Sequence, residues 1–293
     1  MLKLYDRRFS TQLREDTGAK PWTPETEQQY RDFVDCDDGR EYFSYWWALA
    51  KQHDIVGYLN RKRWSAAKFE AYLHFNCIEM YDDEKKAYEL MSDLQGECVP
   101  KIFGEVVLDQ PYAFKELDED EETEVHENLT TIPGILMQHI DGFHLTDLHK
   151  HLPSKYWQSI LDSAVQTIGK IQNCGIFNRD VNTRSFIVNR QTREVKMIDF
   201  GMVRFREDFQ SDRDWEELQA NHDEEGAVGM VMPRYLKRDT GITVYYNRSE
   251  RARRLDWRFN REEGEHEGGT EEEDEYVRQD ILYDQEERAL PPA

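Results

Sequence analysis

The sequence lacks an uninterrupted apolar run that could cross a lipid bilayer. The longest uncharged apolar stretch near its start covers only residues 42–50, whereas a membrane-spanning helix needs about 20 residues. The chain also opens with charged residues instead of the apolar core of a secretory leader. We therefore expect a soluble protein of the cytoplasm or nucleus with no membrane partner.

Cysteine is scarce. The four cysteines, at positions 36, 77, 98 and 174, are too widely spaced for a metal-ligand motif or a dense disulfide framework. Reduced thiols in a reducing compartment are the simplest interpretation of this pattern.

Positive charge is in short supply, since 38 Lys and Arg stand against 60 Asp and Glu and the net charge is −22. Most of the excess lies in two runs: residues 116–127 carry a net charge of −8 and residues 262–288 carry −11. A nucleic-acid binder needs a basic surface to replace the counterions of the phosphates, so no nucleic-acid partner is expected. We expect both runs to be solvated, with docking to a basic protein partner as the alternative for the tail.

Aromatic residues are plentiful at 12%, which a disordered polymer would not carry, so the chain has a core. Alternating or β-branched runs predict strands, which fall at the start of residues 2–9, at 101–108 and 132–140, and in a hairpin joining 186–188 to 195–198. Apolar residues at helical spacing predict helices over residues 67–94 and 154–173, and Thr23-Pro24 is typical of a helix start. Residues 10–65 otherwise show no clear period. The mixture predicts an α+β fold.

Two carboxylates flank the predicted hairpin. Asp180 follows the long helix after a short turn, and Asp199 leaves the second strand in the tripeptide Asp-Phe-Gly. We expect them to lie close together. Phosphoryl transfer uses such a pair, because one carboxylate orients the attacking hydroxyl or accepts its proton and the other holds magnesium on the phosphates. The alternative is that both are ordinary turn residues.

The order helix, NRDVNTRS, strand, turn, strand, IDFG resembles the catalytic and metal-binding loops of the protein-kinase superfamily. Residues 134–148, GILMQHIDGFHLTDL, look like the strand and hinge that hold adenine. The resemblance covers residues 1–235 and is closest to a group of largely uncharacterised fungal kinase-like proteins. In that group, openings like LKLYDRRFSTQLRED, helices like YDDEKKAYELMSDLQGECVP and late segments like DEEGAVGMVM recur.

The resemblance implies ATP and Mg²⁺ as cofactors and a role for each matching residue. Asp180 would be the catalytic base, and Arg184 would steady a substrate or phosphate. Asp199 would bind the metal, with Ser185 where the family has a second metal-binding residue, an asparagine. The remaining residues implied at the nucleotide are Lys3 on the phosphates, Glu84 as its partner with Glu89 as fallback, Met137 at the gate of the adenine site, and Gln138 and His139 in the hinge.

The sequence also departs from the family pattern. Asn178 stands where the family usually has histidine, and no glycine-rich phosphate loop precedes Lys3. The segment after Gly201 is short and lacks Ala-Pro-Glu, for which Glu224 or Glu225 is the candidate substitute.

The fold implied is two-lobed, with a nucleotide cleft between the lobes. Residues 1–140 would form an incomplete, small, β-rich N-lobe, residues 141–255 a shortened helical C-lobe, and residues 256–293 a disordered acidic tail. The function implied is phosphoryl transfer from ATP to a protein hydroxyl. The alternatives are a pseudokinase that binds or scaffolds, a small-molecule phosphotransferase, and an active enzyme whose first strands are missing from an incomplete gene model.

Overall fold

The computed structural model describes residues 1–36, 42, 64–108 and 131–259. Both acidic runs, most of residues 37–63 and all of the tail beyond residue 259 lie outside these described residues, and so do the predictions made for them. The chain divides into two compact units, Met1–Glu89 with Lys101–His139, and Leu90–Pro100 with the residues from Ile140 onward. Residues 90–100, which the sequence placed in the first lobe, therefore belong to the second unit.

The first unit contains an antiparallel sheet in the order β1–β3–β2. Its strands are β1 (Leu2–Leu4), β2 (Ile102–Leu108) and β3 (Ile132–Met137). The strands predicted from residues 101 and 132 are confirmed, and so is the alternating strand predicted at the start of residues 2–9. Gly134 in β3 permits close contact of the strands, because a Cβ there would lie 2.7 Å from both the Leu4 side chain and the Lys3 carbonyl oxygen.

The helices of this unit are α1 (Thr11–Thr17), α2 (Pro24–Val34) and α3 (Ala66–Leu90). The predicted start of α2 is confirmed, since the Thr23 side chain accepts the N–H of Thr26 and Pro24 lies in the first turn. The helix predicted to continue to residue 94 ends at Leu90. Among the described residues of this unit, more residues lie in helices than in strands. The expectation of a β-rich lobe was therefore wrong about the proportion of strand.

A buried ion network in the first unit gave no local signal in the sequence. Arg7 contacts Glu27 at 2.7 Å and Glu70 at 2.6 Å, and Arg14 contacts Glu70 at 2.7 Å. All four residues are buried. The network joins the chain after β1 and the helices α1 and α2 to α3, so opposite charges position a region whose sequence showed no apolar period.

The second unit combines helices with two small antiparallel sheets. One sheet contains β4 (Gly142–His144), β6 (Phe186–Asn189) and β7 (Val195–Met197), and the other pairs β5 (Ile176–Asn178) with β8 (Val203–Phe205). The described helices are α4 (Leu148–His151), α5 (Trp157–Asn173), α6 (Asp212–His222), α7 (Gly226–Gly229), α8 (Val231–Thr240) and α9 (Glu250–Phe259). The predicted hairpin is β6–β7 and is confirmed.

The long helix α5 presents the predicted apolar stripe to the interior of the second unit. Its buried residues include Trp157, Ile160, Leu161, Ala164, Ile168 and Ile171. It begins at Trp157 because Ser154–Tyr156 form a 3-10 turn instead of its first turn. At the other end of the unit, α9 continues to Phe259, past the boundary predicted at residue 255. No helix among the described residues is both long and apolar enough to cross a membrane.

Candidate functional site

Asn178 holds together the two loops that carry the candidate carboxylates. It ends β5 and is only 1% exposed. Its Nδ2 donates a hydrogen bond of 2.8 Å to the carbonyl oxygen of Asp199, and its Oδ1 accepts the N–H of Asp180 at 2.9 Å. One side chain thus fixes the backbone at both aspartates, which are themselves exposed. The structure therefore brings together the backbone segments of Asp180 and Asp199, while the proximity of their carboxylates stays a prediction.

Asp199 has a left-handed backbone, with φ 68°. Aspartate tolerates this region better than most residues, yet strained backbone of this kind is concentrated at functional sites. Its neighbours hold the conformation: Ile198 donates its N–H to the Ser185 carbonyl at 2.8 Å, and Phe200 is fully buried. The Asp199 carboxylate is therefore placed by the backbone on either side of it.

Ser185 braces the loop after Asp180. Its hydroxyl donates to the Asp180 carbonyl oxygen and accepts the N–H of Asn182, both at 3.2 Å, and the residue is buried. A metal bound to this oxygen would have to replace bonds that shape the loop. The predicted metal-binding role of Ser185 therefore competes with a structural one.

Arg184 lies in the 3-10 turn Thr183–Ser185. Its N–H donates to the Asn182 Oδ1 at 2.8 Å, and its carbonyl oxygen lies 2.7 Å from the His144 Nδ1. These contacts fix the backbone of Arg184 beside the Asp180 loop.

Glu224, one of the two candidate substitutes for the family's glutamate, contacts Asn178, and the sequence did not predict this contact. It is buried, and it accepts hydrogen bonds from the Asn178 backbone N–H and from Gln172 Nε2, both at 2.8 Å. Burial raises the pKa of Glu224 to about 7. Glu225, the other candidate substitute for the family's glutamate, instead accepts bonds from the Tyr246 hydroxyl at 3.0 Å and the Ser249 N–H at 2.7 Å. The sequence signal for both glutamates is the acidic pair before Gly226, within the segment that resembles the family.

In the first unit, Lys3 on β1 forms an ion pair with Glu84 on α3. The Lys3 Nζ lies 2.5 Å from the Glu84 Oε2, and the Tyr5 hydroxyl donates to the same oxygen at 2.5 Å. Glu84 is 1% exposed, whereas the Lys3 side chain is 29% exposed. Glu89, the fallback partner, is exposed at the end of the helix. Of the two glutamates considered, the structure thus pairs Lys3 with Glu84.

The proposed hinge residues continue from β3. Met137 is buried, and its backbone N–H and carbonyl are both bonded to the backbone of Met1, at 2.9 and 2.7 Å. Gln138 donates its N–H to the Lys101 carbonyl at 2.7 Å, and His139 is exposed. Met137 and Gln138 therefore tie β3 to neighbouring strands through their backbones.

At the candidate metal position, the structure provides the carboxylate of Asp199, which is exposed. Among the described residues, no group of three or more His, Cys, Asp or Glu side chains is arranged as a metal site. Magnesium, however, is commonly held by one or two carboxylates together with substrate phosphates and water. The exposed Asp199 provides a hard oxygen ligand of this kind. The four cysteines are free, so none of them forms a disulfide in the structure.

No protein-family model matches this chain, and no curated protein matches its sequence.

Proposed function

We propose that this chain is a protein-kinase-like phosphotransferase that moves the γ-phosphoryl group of ATP to a protein hydroxyl, with a two-lobed kinase fold. The observation that carries the proposal is the double hydrogen bond of Asn178, which links the backbone at Asp180 to the backbone at Asp199. Phosphoryl transfer depends mainly on the positioning of charged groups, so one side chain that holds the backbones of two exposed aspartates supports the proposal.

Asp180 is the proposed base. Its N–H is held by Asn178 and its carbonyl by Ser185, so its backbone is fixed on both sides. The residue is exposed, which lets an acceptor hydroxyl reach its carboxylate and give up a proton during transfer. Arg184, held four residues later, is proposed to steady the charge of the substrate or phosphate.

Asp199 is the proposed ligand of magnesium, and when bound the ion would neutralise charge on the phosphates. The left-handed backbone at Asp199 and the buried Phe200 keep the carboxylate exposed. Lys3 is proposed to contact the phosphates. Glu84 pairs with its ammonium from a buried position, and the Lys3 side chain is 29% exposed.

A second candidate function is a pseudokinase that binds nucleotide or a protein without efficient transfer. The observation that favours it is the position of Ser185, whose hydroxyl is already bonded within the loop. With only Asp199 offering an exposed carboxylate at the metal position, nucleotide binding would persist while turnover would be slow.

A thermal-shift titration with ATP and Mg²⁺ tests nucleotide binding. At 100 times the dissociation constant, ATP adds about 2.7 kcal/mol of stability, a rise in Tm of roughly 5–10 °C for a domain of this size. Asp199→Asn should abolish the magnesium-dependent part of the shift. Asp93→Asn, a change at another exposed aspartate of the second unit, should leave it intact. No shift in the unaltered protein would contradict the phosphotransferase and leave only a pseudokinase that binds a protein without nucleotide.

A further inference from the structure

Three cations gather around the turn between β6 and β7, and we name Lys155, Arg190 and Arg193 the turn cluster. The guanidinium of Arg193 lies 4.3 Å from the centre of the Tyr156 ring, and the Lys155 Nζ lies 4.9 Å from the same centre. Arg190 Nη1 lies 3.4 Å from His151 Nδ1. All three cations are exposed, so they form one positive surface on the second unit.

The charge of the turn cluster is poorly compensated. Within residues 1–36, 64–108 and 131–259, neither Lys155 nor Arg193 forms an ion pair with a carboxylate, and Arg190 approaches Asp141 only to 3.9 Å. The pKa of the Tyr156 hydroxyl is lowered by Lys155 and, to a smaller extent, by Arg193. Like charges so close together repel unless an anion lies among them. The turn cluster therefore favours an anionic partner.

The turn that carries both arginines is rigid. The Asn189 Oδ1 accepts the N–H groups of Gln191 and Thr192, both at 2.9 Å. The Arg193 N–H donates to the Asn189 carbonyl at 3.0 Å, and Arg193 has φ 63°. Because the backbone is already fixed, binding an anion costs little ordering of this surface.

We propose that the turn cluster docks the acidic run of this same chain at residues 262–288. That run contains thirteen Asp and Glu against two Arg, so several carboxylates can face the three cations at once. The chain enters it from α9, which ends at Phe259 in the same unit as the turn cluster. The other acidic run, residues 116–127, is tethered at both ends to β2 and β3 of the first unit, so the tail is the occupant that the connectivity favours.

The tail is long enough to reach the turn cluster. Fourteen residues separate Phe259 from the centre of the acidic pentad at 271–275, and an extended chain of that length spans about 50 Å. A compact unit of this size has a radius of gyration of only about 14 Å. Tethering also gives the tail an effective concentration in the millimolar range for the surface. Since exposed ion pairs are weak and screened by salt, the docking should be strongly salt-dependent.

Zero-length carbodiimide cross-linking of the full chain tests this inference, because the reagent joins an amine only to a carboxylate in contact with it. At low salt, mass spectrometry should identify links from Lys155 to carboxylates of residues 262–288. These links should fall at least fivefold in 1 M NaCl, and at least fivefold in an Arg190→Ala/Arg193→Ala variant. Arg253→Ala, a change at another exposed arginine of the second unit, should leave them unchanged.

Three results would overturn the inference. The first is a set of links from Lys155 to residues 116–127 instead of the tail. The second is links that join isotopically light and heavy copies of the chain. The third is an absence of tail links from Lys155 while the exposed Lys237 reacts. The experiment contains no nucleotide, so its failure would leave the phosphotransferase proposal standing.

Discussion

The Asn178 side chain donates a hydrogen bond of 2.8 Å to the carbonyl oxygen of Asp199, although the two residues are 21 positions apart in the sequence. The same amide accepts the Asp180 N–H, and the Asn178 backbone donates to the buried Glu224. Asn178 therefore stands at the centre of a hydrogen-bond network that joins β5, the Asp180 loop, the turn after β7 and the segment before α7.

Asn178→Ala should destabilise the chain by about 2–4 kcal/mol, because it leaves the Asp180 N–H and the Asp199 carbonyl without their partner. Urea unfolding measures the loss. Asn76→Ala, which removes a single side-chain bond to the Tyr72 carbonyl within α3, serves as the control and should cost less. Equal effects of the two substitutions would contradict a central role for Asn178.

Glu224 should make stability fall as the pH rises. Its pKa is about 7 in the folded chain against an ordinary value of 4.5, so below pH 4.5 it is protonated in both states and imposes no charge penalty. Between pH 4.5 and 7 the unfolded chain loses the proton more readily, which lowers the free energy of unfolding by about 3 kcal/mol in total.

Urea unfolding from pH 5 to 8 should therefore show a slope that Glu224→Gln removes. Glu217→Gln, at an exposed position on α6, is the matched control and should preserve the slope. If the Glu224→Gln variant kept the pH dependence of the unaltered chain, Glu224 would already be charged in the folded protein.

Local patterns were sufficient to predict several elements. The β6–β7 hairpin follows from two β-branched runs around a polar turn, and the start of α2 follows from Thr23 before Pro24. The sequence could not assign Glu224 to Asn178, since that bond joins residues 46 positions apart and leaves no periodic signal. The motif predicts a metal-binding role for Ser185, whereas its hydrogen bonds depend on the shape of the folded loop.

The buried ion network of the first unit should be intolerant of a single charge removal. Glu70→Gln leaves Arg7 and Arg14 buried without their shared carboxylate, and breaking such a buried pair costs about 3–5 kcal/mol. Chemical denaturation checks this loss. Glu89→Gln, on the exposed side of the same helix, should change stability by less than about 0.5 kcal/mol; a similar loss in both variants would argue against the network.

The ion pair of Lys3 with Glu84 should influence nucleotide binding. Glu84→Ala frees the lysine from its 2.5 Å partner and should weaken ATP binding about tenfold, because the ammonium is no longer oriented. Isothermal titration calorimetry measures the dissociation constant. Glu89→Ala should bind ATP as the unaltered chain does. Weakening by Glu89→Ala alone would place the functional glutamate one turn further along α3.

Transfer of the γ-phosphoryl group from labelled ATP to protein hydroxyls measures the proposed activity itself. We predict magnesium-dependent incorporation into a mixed protein substrate, reduced at least a hundredfold by Asp180→Asn and retained by Asp93→Asn. Binding of ATP without any transfer to protein or small-molecule acceptors would contradict the phosphotransferase and leave the pseudokinase. Incorporation that Asp180→Asn leaves unchanged would show that Asp180 is not the catalytic base.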